Sequence, residues 1–104
     1  MNGNELISFQ IISAVGTARS MYVEAIQEAK KGNIQAAKQL IEDGVKVFVD
    51  GHHTHASLIQ KEAAGEKSEF SLLLMHAEDQ LMTTETLKIV AEEFIELYSD
   101  KYHQ

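Results

Sequence analysis

A chain of 104 residues with no cysteine and no proline reads as one domain, without disulfides, thiolate chemistry or Cys-ligated zinc, and nothing in it forbids long uninterrupted helices. Its formal net charge of −7 makes nucleic acid and anionic membrane poor partners and favours proteins with basic faces. Met1-Asn2-Gly3-Asn4-Glu5 lacks a basic region, and Ser8, Gln10 and Ser13 interrupt the apolar stretch from Leu6 to Val15, so the expectation is a cytoplasmic protein with no signal peptide and no membrane span.

Two breaks divide the chain. Gly32-Asn33 follows Lys30-Lys31, a pattern that suits a helix ending with Gly at C′ and Asn33 as the next N-cap. Gly65-Glu66-Lys67-Ser68 is the second break. The segments between them, about Asn4–Lys31, Asn33–Ala64 and Ser68–Tyr102, predict three helices of roughly 40–50 Å each at 1.5 Å per residue. In the first, Ile12, Val15, Val23 and Ile26 share a face. In the second, Ile34, Ala37, Ile41, Val45, Phe48, Ile59 and Ala63 do so. In the third, Leu72, Leu73, Leu87, Val90, Ala91, Phe94, Leu97 and Tyr98 lie together, roughly opposite Glu78, Glu85, Glu92 and Glu96. The fold class is therefore all-α: three long antiparallel helices joined by short loops.

The start of the third helix carries more apolar surface than a three-helix monomer needs. Phe70, Leu72, Leu73, Leu74 and Met75 point to every side of it, and a helix apolar all round is buried all round. Self-association through this half of the helix is expected, with Met75, Met82 and Ile89, spaced seven apart, as a second seam; the alternative is a monomer with an oily groove for another protein.

Several polar groups fall on apolar faces. Arg19 sits among Ile12, Val15, Val23 and Ile26; its guanidinium cannot shed its charge and needs an anion or a route to water. A carboxylate partner is favoured there over a phosphate contact. His52 shares a face with Phe48 and Ile59, His55 lies at its edge and His53 points away. The His-x-x-His spacing is a weak metal signal that wants a third ligand. His103 reads as solvated. The densest constellation is His76-Ala77-Glu78-Asp79-Gln80-Leu81-Met82-Thr83-Thr84. His76, Asp79 and Gln80 share one helical face, which the flanking apolar residues turn toward packed protein. The residues alone leave two readings: a core histidine hydrogen-bonded to a neighbour, or an imidazole able to attack phosphorus or bind a cation. Asp79 could orient a ring, bind a cation or pair with another charge.

Taken together, the chain resembles enzyme IIA of the lactose/cellobiose class of the bacterial phosphoenolpyruvate-dependent sugar phosphotransferase system, nearly end to end. Met75 to Thr84 resembles the family's His-Ala-Gln-Asp-His-Leu-Met-Thr signature, Gly16-Thr17-Ala18-Arg19-Ser20 its Gly-Asp-Ala-Arg-Ser stretch, and Ser57 to Gly65 the run that ends its second helix. The resemblance implies a homotrimeric nine-helix bundle. It implies that His76 accepts a phosphoryl group from the phosphocarrier protein HPr and passes it to a cysteine of enzyme IIB during uptake of a β-linked disaccharide. It also implies that Asp79 binds a divalent metal, magnesium by its oxygen-only chemistry, at the trimer axis. Gln80 and Arg19 are supporting residues, Gln80 as a donor to phosphoryl oxygens one turn from His76. The chain departs from the family pattern with Glu78 for Gln, Gln80 for His and His55 for Gln. Glu78 is expected to face the solvated acidic side. The alternative function is a non-catalytic helical oligomer serving as a regulatory or protein-binding module. A histidine phosphotransfer domain normally has His-x-x-Lys-Gly, whereas position 79 is Asp.

Overall fold

The computed structural model describes residues 3–67 and 71–102; Ser68, Phe70 and His103, named above, lie outside the described residues. It contains three helices, α1 Gly3–Lys30, α2 Ile34–Ala63 and α3 Leu72–Lys101, and no strand among the described residues. The two breaks use the same device. Gly32 and Gly65 adopt φ of 88° and 90°, a conformation open to residues without a side chain. At each, the glycine N–H bonds three residues back, to Ala29 and Glu62, and the following N–H bonds five back, from Asn33 to Glu28 and from Glu66 to Lys61, all at 3.0 Å. Carbonyls in the last turn of each helix are thereby satisfied.

The helix starts differ from expectation. Asn33 makes no side-chain cap bond to α2; its Nδ2 instead donates backward to Glu28 Oε2 at 2.8 Å. That bond, and then the one from Lys31, hold the Glu28 carboxyl below the usual range. The third helix starts at Leu72 rather than near Ser68. Its N-cap is Ser71, in extended conformation, whose hydroxyl accepts from the Leu74 N–H at 3.0 Å.

The helices form a rod of 53 × 24 × 19 Å. One core cluster joins Ile11 and Val15 of α1 to Leu58 of α2 and Leu74, Ala77 and Leu81 of α3. A second joins Ala18 through Ala29 to Ile34, Ala37 and Ile41 and to Ala91 and Ile95. So α1 and α3 run parallel and α2 runs against both. Each outer helix packs chiefly on α1, and α2 and α3 touch sparsely. At the far end the Tyr102 hydroxyl donates to the Lys30 carbonyl at 3.0 Å, and its ring covers Gly32.

The buried stripes differ from those expected. In α1 the buried line is Ile11, Val15, Ala18, Tyr22, Ala25 and Ala29; Val23 is exposed. In α2, Ile34, Ala37 and Ile41 are buried as expected, but Ile59 and Ala63 are exposed and Gly44, Gly51 and Leu58 are buried. In α3 the buried line is Leu74, Ala77, Leu81, Thr84, Ala91, Ile95 and Ser99. Leu72, Val90, Phe94 and Leu97, expected inside, face out with Met75, Met82 and Ile89. The cause is close packing through small side chains. At Gly44 an added Cβ would stand 2.6 Å from Tyr22 Cε1, and at Gly51 it would stand 3.0 Å from Val15 Cγ2. The inner faces thus mix small residues (Ala, Gly, Ser and Thr) with the large ones, which leaves other large apolar residues for an outer face.

Candidate functional site

The first half of α3 is fixed from behind. Leu74, Ala77 and Leu81 are buried against Ile11, Val15 and Leu58, which turns the opposite side of the helix outward. His76 is on that side and is exposed, in a shallow recess with Leu72, Leu73 and Met75. Asp79 is exposed and Gln80 half-buried. Within one chain this face therefore meets open solvent, not packed protein, because α1 and α2 occupy the other side. Leu72 is 82% exposed, so the imidazole stands within an apolar surface that nothing among the described residues covers.

Arg19 is exposed as well, rather than lodged on a buried face. It nonetheless joins the constellation: Arg19 from α1 and Asp79, Gln80, Thr83, Thr86, Leu87 and Val90 from α3 line one open groove between the parallel helices. Thr83 Oγ1 donates to the Asp79 carbonyl at 2.9 Å and the Gln80 carbonyl at 3.2 Å, and Thr86 Oγ1 to the Met82 carbonyl at 3.4 Å. The hydroxyl protons are used on the helix, and the oxygens keep lone pairs. Neither Arg19 nor Asp79 has an ion-pair partner among the described residues. His76 lines the neighbouring recess, so the structure brings Arg19, Asp79 and Gln80 together and sets His76 one turn away. Thr86 and Val90 were not singled out from the sequence. The signal for them is the spacing 79, 83, 86 and 90, one face of a helix.

Among the described residues of a single chain, no three His, Cys, Asp or Glu side chains converge as a metal site. The donors near Asp79 are a carboxylate and hydroxyl oxygens, which suit a hard cation, but one carboxylate per chain is too few ligands for it. Copies of the chain would have to supply the others.

The second-helix histidines do not build a site. His52 is exposed, with its ring 6.3 Å from that of Phe48, which corrects its expected place on the buried face; His53 is exposed too. His55 is half-buried and its Nε2 stands 3.6 Å from Glu78 Oε1. Glu78 thus leans on α2 instead of facing free solvent. The two positions that depart from the family pattern on either side of the α2–α3 gap meet each other.

No helix among the described residues is long and apolar enough to cross a membrane. Residues 6–99 match the family described as "PTS system, Lactose/Cellobiose specific IIA subunit". The chain is 46% identical over 94 residues to the lichenan-specific phosphotransferase enzyme IIA component of Bacillus subtilis, covering 90% of this chain and 86% of that one. It is 41% identical over 100 residues to the lactose-specific EIIA component of Streptococcus mutans, covering 94% and 96%. Its fold is similar to the crystal structure of the cellobiose-specific enzyme IIA of Bacillus anthracis, with a TM-score of 0.95 and 42% identity over 100% of this chain and 95% of that one. The chain belongs to the lactose/cellobiose-specific IIA family of the sugar phosphotransferase system.

Proposed function

We propose that this phosphotransferase component accepts a phosphoryl group from HPr on His76 and passes it to a cysteine of enzyme IIB, in the cytoplasm, during uptake of a β-linked disaccharide. Related proteins are named for lichenan, lactose and cellobiose, which supports a sugar of that class. The observation that carries the reading is the exposure of His76 within an uncovered apolar recess on α3. Such a ring can be reached by a partner's phosphoryl group, while Leu72, Leu73 and Met75 offer a surface for docking. A phosphorus–nitrogen bond forms at the imidazole as the bond that holds the phosphoryl group on HPr breaks, and it breaks in turn as the sulfur–phosphorus bond forms on the cysteine of enzyme IIB.

The chain supplies position and charge rather than covalent machinery. Because α3 starts at Leu72, His76 lies near its N-terminal end, where the helix dipole favours added negative charge. Gln80, one turn on, supplies amide donors for phosphoryl oxygens, more weakly than a charged imidazole would. Three copies assemble through the exposed α3 stripe of Leu72, Met75, Met82, Ile89, Val90 and Leu97, whose exposure in one chain supports self-association. Asp79 carboxylates brought together in that homotrimer offer oxygen donors that suit a divalent cation, magnesium on donor chemistry.

The test is incubation with phosphoenolpyruvate, enzyme I and HPr, followed by intact mass. An acid-labile phosphate adduct that is absent in His76→Ala is expected. No adduct, or one that persists in that variant, would refute the assignment.

A further inference from the structure

Arg19 and Asp79 are the two charged residues lining the groove between α1 and α3, and both are exposed without an ion-pair partner among the described residues of one chain. Asp79 also lies within the outward stripe of α3, on the same side as Leu72, Val90 and Leu97, which are 82%, 40% and 60% exposed. Covering that stripe with further copies of the chain strips water from both charges. A guanidinium cannot neutralise itself by losing a proton. A desolvated carboxylate without a partner is costly, and closed symmetry sets like carboxylates toward one another. Every copy that contributes an Asp79 contributes an Arg19 to the same groove.

We propose that Arg19 is the built-in counter-charge of Asp79 at the self-association seam, so that assembly holds without a bound cation and an added cation competes with the guanidinium for the carboxylates. The inference rests on the self-association reading above. It assigns Arg19 to the seam rather than to the phosphoryl group. Gln80, Thr83 and Leu87 complete a groove with no second cationic side chain to take its place.

The experiment is light scattering after size-exclusion chromatography at micromolar concentration, in EDTA and in millimolar magnesium, with circular dichroism as a check of helicity. Wild type is expected to be associated in both. Arg19→Gln is expected to associate at least about tenfold more weakly in EDTA, as when one partner of a desolvated charge pair is truncated, and to recover in magnesium. Arg19→Gln combined with Asp79→Asn is expected to associate in EDTA again, because both charges are gone. Arg19→Lys keeps the charge and should resemble wild type. Asp79→Asn alone should weaken association in a way magnesium does not restore, which tests the pairing even if Arg19→Gln folds poorly. Arg19→Gln behaving as wild type in EDTA, or a double variant no better than the single one, would overturn the proposal. Wild type associating only in magnesium would overturn it while leaving self-association intact. Wild type monomeric in both buffers would overturn the assembly reading and this proposal with it.

Discussion

The ring of Tyr22 lies against Gly44: a Cβ at position 44 would stand 2.6 Å from Cε1 and 3.1 Å from Cδ1. Tyr22 is 1% exposed and is the largest fully buried side chain among the described residues, so it cannot swing away. Gly44→Ala should cost about 1–3 kcal/mol by overpacking, lowering the melting temperature by about 4–8 °C per kcal/mol. Gly16 gives the contrast. No heavy atom lies within 4 Å of a Cβ built there. Gly16→Ala should be neutral or stabilising by about 0.5–1 kcal/mol through helix propensity. Thermal melts of both variants at one chain concentration check this; equal losses would show that space at Gly44 is not the cause.

Thr84 is 1% exposed, and its Oγ1 has no hydrogen-bond partner among the described residues. An unmade hydrogen bond in the interior carries a desolvation penalty, which Thr84→Val removes at nearly constant shape. The variant should gain about 1 kcal/mol in urea unfolding. A loss of stability would mean that the hydroxyl has a role the packing does not reveal.

Burial first, and then the Glu92 carboxylate, raise the Tyr22 hydroxyl above its ordinary 10.0. The folded chain therefore keeps a proton that the unfolded chain gives up. The contribution is fully present below 10.0 and is lost as pH rises through the folded value. Wild type should lose stability in this alkaline range more steeply than Tyr22→Phe, as followed by melting temperature from neutral to strongly alkaline pH. Parallel curves would argue against Tyr22 as the source.

His55 and Glu78 face each other at 3.6 Å, with side chains 16% and 42% exposed. A pair so open to water contributes roughly 0.2–1 kcal/mol. A double-mutant cycle with His55→Gln and Glu78→Gln should show a coupling energy of that size; zero coupling would mean that the two side chains do not interact in solution. Phosphorylation at His76 should be unchanged, since Glu78 leans toward α2 and away from the His76 recess.

The helices and the glycines that end the first two were readable because punctuation is a local matter, whereas the start of α3 at Leu72 and its Ser71 cap were not. Gly32 and Gly65 are needed where φ is positive, and both mark helix ends. Which face points inward was not readable in the same way. Hydrophobic ranking picks Leu72, Phe94 and Leu97, whereas the close approach of α1 to its neighbours selects Ala18, Ala25, Gly44, Ala77 and Thr84. Smallness is a property of the fit between helices and leaves little periodic trace. The surplus of large apolar residues at the start of α3 was legible for the same reason in reverse: too many oily groups for one inner face left Met75 and Met82 outside. At the site, helical spacing put His76, Asp79 and Gln80 side by side, and Arg19 reached the group only because α1 and α3 run parallel. The His55–Glu78 pairing depended on the α2–α3 gap, which no single-helix pattern contains.

The Tyr102 hydroxyl on the Lys30 carbonyl closes the rod at the end opposite His76, with Lys101 over the Tyr102 ring at 5.7 Å. Because Ile11 packs with Leu74 and Ala77, the beginning of α1 shares the His76 end. A fluorophore, affinity handle or surface tether attached beyond Tyr102 would stand most of the 53 Å length from the imidazole, while one placed before Gly3 would be at the same end of the rod as the imidazole. Reporter placement is thus a choice between a spectator and a probe of the site, fixed by the direction in which the first helix runs.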